Sequence, residues 1–121
     1  TKSGGDYTPA AFNTEPLTTR IVARFREHFG DARVQVVPPT MAGEDFARYR
    51  IADPEHVQSL LFWVGGVPQA KWDAAGGDAG KLPSLHSASW APDPEPTIAA
   101  AVEAMASAAL DLLRTNIKRT N

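Results

Sequence analysis

The segment Ser59-Leu60-Leu61-Phe62-Trp63-Val64 is apolar at every position after its serine, and Gly65-Gly66 end the run. A run that is apolar on both faces is typical of an interior strand in a sheet covered by helices on both sides. A second segment, Arg33-Val34-Gln35-Val36-Val37, is rich in β-branched residues and stops at Pro38-Pro39, as a strand would. The two segments therefore predict two β-strands.

Helical patterns surround these segments. A first helix is predicted to end at Gly30, with Asn13 or Thr14 as its cap and an apolar face of Leu17, Ile21, Phe25 and Phe29. A brief helix is predicted from Glu44 to about Tyr49, and a final one from about Glu95 to Leu113, where Asp93 caps and Pro94 takes the first position.

The alternation of helix and strand predicts an α/β fold, with helices packed on a mainly parallel or mixed β-sheet. Two strands are too few for a stable sheet. The chain would contain further strands, oligomerise or be part of a larger domain, and we expect the last.

Composition limits the function classes. The 121 residues suffice for one domain with a core. The net charge of −2 argues against a broad nucleic-acid footprint. The absence of cysteine excludes disulfides and a thiol nucleophile and fits the cytoplasm. No continuous apolar run reaches the ~20 residues of a membrane span, so we expect neither a nucleic-acid nor a membrane partner. The first residue is not Met, which suggests a processed or excised piece of a longer protein.

His86 is the first candidate functional residue. It lies near the end of a Gly/Pro-rich stretch, residues 66–92, for which the sequence predicts no regular secondary structure. Irregular loops of this length are uncommon and are usually functional or disordered. Its type and place leave metal ligation, proton transfer and a structural role open. His28 lies in the last turn of the predicted first helix, where its partial positive charge would complement the helix dipole. His56 is expected to lie in an exposed loop. The three histidines show no metal-ligand spacing.

The second candidate is Met41-Ala42-Gly43-Glu44-Asp45-Phe46. Gly43 would let a substrate approach free backbone N–H groups at the start of a helix. Glu44 and Asp45 are adjacent, so on a helix they point about 100° apart and form no carboxylate dyad. An acidic first turn that merely stabilises the helix is the alternative.

Four short motifs follow one another in a recognisable order: Tyr7-Thr8-Pro9 to Asn13, Pro38 to Phe46, Leu61 to Gly65, and Leu85-His86-Ser87. In this order they resemble the C-terminal end of the co-catalytic metallopeptidases that include aminoacylases, hippurate hydrolases and auxin-conjugate amidohydrolases. The resemblance covers the chain from about Tyr7 onward.

The resemblance implies a place for each part of the chain. Residues 1–7 would end the lid or dimerisation domain, or form a linker, and residues 8–121 would be the C-terminal part of a three-layer catalytic domain. His86 would be the last ligand of a site for two divalent metal ions, zinc or manganese. Gly43 and Glu44 would line the substrate pocket. The other ligands and the general base would lie upstream, so no catalytic residue is expected in this segment.

The same resemblance implies a cytoplasmic hydrolase that cleaves the amide bond of N-acyl amino acids or peptide-like substrates, and it is compatible with a homodimer of the full-length protein. The departures Ala88 and Trp90, where the family has Pro and Phe, bear on substrate preference. The isolated chain is expected to be inactive. Two alternatives stay open: a non-catalytic α/β binding or interaction module, and an independent small structural domain without a ligand.

Overall fold

A computed structural model describes residues 7–41 and 45–119, with side chains described as far as Arg114. The described residues form four α-helices: α1 (Leu17–Phe29), α2 (Ala47–Ala52), α3 (Gln69–Ala74) and α4 (Pro94–Arg119). Two short 3₁₀ helices lie at Asp31–Arg33 and Ala79–Lys81. The chain divides into two compact units, one made of the residues up to Phe62 with those from Arg114 onward, and the other of Trp63–Leu113.

The predicted α/β fold is wrong, because the described residues contain neither a β-strand nor a sheet. At the predicted strand that starts at Ser59, side chains form most of the hydrogen bonds to the backbone that a neighbouring strand would form. The side-chain amide of Asn13 donates to the Leu61 carbonyl at 2.9 Å and accepts from the Leu61 N–H at 2.7 Å. Thr14 N donates to the Ser59 carbonyl, and Ser59 N donates to Thr14 Oγ1, both at 2.9 Å. One backbone–backbone bond among these contacts does not make a ladder.

The other predicted strand fails for a different reason. Val34 has extended dihedral angles, φ −114° and ψ 100°, but it directly follows a 3₁₀ helix. Val36 beyond it is 87% exposed and Val37 is 55% exposed. β-Branched residues favour strands where they pack on a half-buried surface. Here the backbone is extended locally and its apolar side chains have no such surface.

Helix α1 carries the core of the first unit. Ile21 and Phe25 are 1% and 7% exposed, as the predicted apolar face requires. The Phe25 and Phe62 rings are packed edge to face with centroids 5.1 Å apart, so a side chain of the predicted interior strand packs against a helix. Gly30 follows α1 with φ +85°, which confirms the predicted end of the helix.

The predicted cap of α1 was wrong. The side chains of Asn13 and Thr14 form hydrogen bonds with residues 59–61. N–H groups of the first turn of α1 donate to other residues. Leu17 N donates to Gln58 Oε1 at 3.0 Å, and Thr19 N donates to Glu15 Oε2 at 3.2 Å. Four unpaired N–H groups begin every α-helix, and here two side chains outside the predicted cap satisfy two of them.

The remaining helices differ from prediction in extent. Helix α2 begins at Ala47 rather than at Glu44. Helix α3 lies inside the stretch 66–92 that was expected to be irregular. Helix α4 begins at Pro94 as predicted and continues to Arg119, beyond the predicted Leu113.

The sequence of α4 predicts an apolar stripe of Ile98, Val102, Met105, Ala109 and Leu112 or Leu113. Among the described residues this stripe is not the packing face of the helix. Ile98, Val102 and Met105 are each more than 60% exposed, whereas the small residues Ala104 and Ser107 are buried. By length and composition alone, the segment Pro94–Arg114 could cross a membrane. The core helix of a soluble protein can meet the same criterion, but such a helix is mostly buried, and here 11% of the segment is buried. The absence of a membrane partner therefore stays a prediction.

Candidate functional site

His86 lies at the tip of a tight turn in the second unit. Ser87 N donates to the Ser84 carbonyl at 2.9 Å, which places Leu85 and His86 at the two central positions. A second turn follows directly, with Trp90 N donating to the Ser87 carbonyl at 3.0 Å. Ser89 N also donates to Ser87 Oγ at 3.1 Å. The two turns fix the backbone on the C-terminal side of His86 and leave its side chain exposed.

The residues after this turn pack closely on Gly66. Asp93 N donates to the Gly66 carbonyl at 2.9 Å. A Cβ at position 66 would lie 3.0 Å from Pro92 Cβ and 3.5 Å from the Trp90 ring. Glycine at this position therefore allows the backbone to approach the segment that leads into α4. Gly66 directly follows the motif Leu61 to Gly65, and the residues that it contacts follow the motif Leu85-His86-Ser87, so the segments after these two motifs are brought together.

The described residues alone do not form a metal site, since they contain no group of three His, Asp or Glu side chains placed to hold an ion. A metal site with a single histidine from this chain would need its other ligands from elsewhere. A cavity of about 40 Å³ lies close by in sequence and is lined by Leu82, Pro83 and Trp90 among others, but His86 does not line it. This space is of the order of one or two water molecules.

The predicted substrate-binding residues Gly43 and Glu44 lie outside the described residues. Asp45, the next residue in the chain, is exposed and pairs with Arg48, with Oδ1 and Nε 3.5 Å apart. Exposed pairs of this kind stabilise a protein by at most about 1 kcal/mol.

The other two histidines have local partners. The His28 ring lies edge-on to Phe29 with centroids 4.6 Å apart, at the end of α1 as expected. His56 lies in an exposed turn, as predicted, and its Nδ1 is 2.9 Å from Asp53 Oδ1. The Asp53 carboxylate thereby orients the imidazole ring, a contact that the spacing of the two residues did not suggest. Both side chains are about half exposed or more, so the pair has the surroundings of a surface turn.

Sequence reasoning also missed a pocket in the first unit. It has a volume of about 250 Å³ and is lined by Tyr7, Phe12, Arg50, Ile51 and Ser59, among others. The Nε atom of Arg50 is buried and has no hydrogen-bond partner among the described residues. A buried donor without a partner is uncommon in folded proteins. Neither Arg50 nor Tyr7 belongs to a spacing pattern that would have singled it out.

No family model matches the chain. No solved structure matches it with significant similarity.

Proposed function

We propose that this chain is part of a metal-dependent amidohydrolase or carboxypeptidase that hydrolyses the amide bond of N-acyl amino acids or similar small amides. In this proposal the chain contributes one metal ligand, His86, and a wall of the substrate pocket at Gly43 and Glu44. The remaining ligands of a site for two zinc or manganese ions come from other residues of the full-length protein.

The observation that carries the proposal is the setting of His86. Its side chain is exposed at the tip of a turn, and the following backbone is fixed by the hydrogen bonds that Ser87 N and Trp90 N donate to the Ser84 and Ser87 carbonyls. No hydrogen bond or ion pair joins its ring to another described residue. A metal-ligating histidine needs an accessible ring nitrogen on a rigid backbone, and His28 and His56 each have a partner in this chain.

A further support is the exposed apolar surface of α4. Exposed Ile98, Val102 and Met105 follow one another along one side of the helix. Apolar side chains grouped in this way mark surfaces that another protein or a membrane covers. A segment that completes its site with residues from the rest of a larger protein would have such a surface.

Metal content tests the ligand assignment. In the full-length protein, His86→Ala is expected to lose at least one of two bound metal ions and the amidase activity on N-acetyl-amino acids. His56→Ala, which removes another exposed histidine, is expected to keep both. Equal metal content in the wild type and His86→Ala would overturn the assignment.

The isolated chain provides a second test. With added zinc or manganese it is expected to show no hydrolysis of N-acetyl-methionine or N-benzoylglycine, because one ligand does not hold a catalytic metal. Turnover that His86→Ala abolishes would show that this chain alone contains a complete site, contrary to the proposal.

A binding module without catalysis is the second candidate, and the pocket around Arg50 favours it. This candidate does not depend on His86. It predicts a full-length protein without bound metal in which small molecules still bind to the first unit.

A further inference from the structure

The pocket in the first unit has apolar walls and one charged residue. Tyr7 and Phe12 provide aromatic surface and Ile51 provides aliphatic surface, and all three side chains are more than half exposed. Arg50 is the charged member of the lining. The volume of about 250 Å³ lies just below the ~300 Å³ at which pockets for drug-sized ligands begin. The space therefore suits a small, compact molecule.

Ser59, one of the polar residues that line the pocket, is already engaged. Ser59 Oγ donates to the Phe12 carbonyl at 2.5 Å, and the backbone N–H and carbonyl of Ser59 bind Thr14. These bonds fix the relative positions of two walls. Besides the Tyr7 hydroxyl, the guanidinium of Arg50 is the side-chain donor of the lining that is available to a ligand, and it is the charged one.

Arg48, two residues before Arg50, differs from it in having partners for its guanidinium. Arg48 donates from Nη2 to the Tyr7 carbonyl at 3.1 Å and lies 3.5 Å from the Asp45 carboxylate. Arg48 therefore holds the Tyr7 backbone at the edge of the pocket. Arg50 Nε, by comparison, is buried without a hydrogen bond, so no described residue anchors that edge of the guanidinium. An unpaired donor of a charged group lowers stability, and the guanidinium recovers the lost bond if it turns toward an anion in the pocket.

We propose that this pocket binds a small monocarboxylate with an apolar body, such as an aryl or branched aliphatic acid. The carboxylate accepts two hydrogen bonds from Arg50, which turns its donor edge toward the ligand, and the apolar body lies against Tyr7 and Phe12. A planar guanidinium matches a carboxylate in this paired geometry. A single cation balances one negative charge, and the aromatic walls select against an ion that has no apolar body.

Benzoate is the probe, because it combines one carboxylate with one aromatic ring. Titration of the full chain, followed by ¹H–¹⁵N NMR, is expected to shift amide signals of the residues around Phe12, Arg50 and Ser59. Benzamide has the same shape without the charge and is expected to bind about tenfold more weakly or worse. Inorganic phosphate is expected to bind more weakly than benzoate, because it leaves the aromatic walls uncovered.

Arg50→Met tests the assigned donor. The variant keeps much of the side-chain length and is expected to weaken benzoate binding by about ten- to hundredfold. It is also expected to keep or raise the urea midpoint, because it removes an unpaired buried donor. Arg24→Met, which removes an arginine paired with Glu27 on the surface of α1, is the matched control and is expected to bind benzoate as the wild type does.

Three results would overturn the proposal: no benzoate binding by the wild type at 10 mM, equal binding by Arg50→Met, or equal binding of benzamide. Phe12→Ala tests the apolar wall and keeps the backbone carbonyl that accepts from Ser59. Benzoate affinity unchanged by Phe12→Ala would contradict the assigned position of the apolar body. None of these outcomes depends on the metal content of the full-length protein, so this proposal and the proposed function fail separately.

Discussion

Replacing Asn13 by alanine is expected to destabilise the first unit, because one side chain makes both hydrogen bonds to the backbone of Leu61. The two contacts are 2.9 and 2.7 Å long and join residues 48 positions apart. A neutral hydrogen bond contributes about 0.5–1.5 kcal/mol to stability. Both bonds are exposed, so water replaces part of each, and we expect a total loss of about 1–2 kcal/mol.

Hydrogen exchange at the Leu61 amide reports this contact directly, since that N–H donates to Asn13 Oδ1. A loss of about 1.4 kcal/mol corresponds to about tenfold faster exchange through local opening. Urea unfolding provides the global measurement, with an unchanged slope and a lower midpoint for the variant.

Two further variants define the source of the effect. Asn13→Asp keeps an acceptor for Leu61 N but loses the donor to the Leu61 carbonyl, so it is expected to be intermediate or worse. Gln35→Ala removes a single bond to the nearby Ala32 carbonyl and is expected to change stability by less than about 0.5 kcal/mol. If Asn13→Ala matched Gln35→Ala in both assays, the amide would not be what holds residue 61 to the segment before α1.

Three other predictions concern packing, and urea unfolding measures each of them. Ile21→Ala is expected to cost about 2–5 kcal/mol, because the side chain is 1% exposed; a loss below 1 kcal/mol would contradict its place in the core. Gly66→Ala is expected to cost about 1–3 kcal/mol, because its Cβ would lie 3.0 Å from Pro92 Cβ. Gly65→Ala, whose Cβ would meet open space, is its control, and equal effects of the two would refute the close approach. Val102→Ser is expected to change the stability of the isolated chain by less than about 0.5 kcal/mol, since Val102 is 61% exposed; a larger loss would mean that the side chain is buried.

The helices could be predicted from sequence where their limits are set by local chemistry. Glycine with φ +85° ends α1, and proline begins α4, and both residues have these preferences in almost any surroundings. Helix α3 was missed because Gln69–Ala74 is short and has no apolar periodicity, although Pro68 before it is a start signal.

The absence of strands from the described residues could not be predicted. A strand needs a partner strand, and pairing is not encoded in a single segment. The apolar run after Ser59 is equally compatible with a sheet and with packing against a helix, and here Phe62 packs on Phe25. The residue type of Asn13 predicts a helix cap. Its side-chain amide also has the donor and the acceptor that are needed to bind an extended backbone. Only the tertiary arrangement distinguishes the two uses.

The two candidate sites also differ in how far they could be predicted from the sequence. His86 is exposed in a turn between Ser84 and Ser87, and the small residues that follow it can be seen in the sequence. The pocket at Arg50 depends on a contact between Arg48 and Tyr7, residues 41 positions apart, and on a missing partner for one nitrogen atom. Neither feature leaves a local pattern.

The hydrogen bonds between Thr14 and Ser59 also have a consequence for the folding order. These residues are 45 positions apart, and closing a loop of that length costs about 3 kcal/mol of chain entropy beyond a constant. The backbone hydrogen bonds within helix α1 join residues close in sequence, so the helix is expected to begin to form before residues 59–61 reach it. Doubling the length of this loop by insertion in the exposed residues 35–41 would cost only about 0.6 kcal/mol more. A single cut in the same residues would turn loop closure into the association of two separate pieces, so this stretch can be lengthened far more safely than it can be broken.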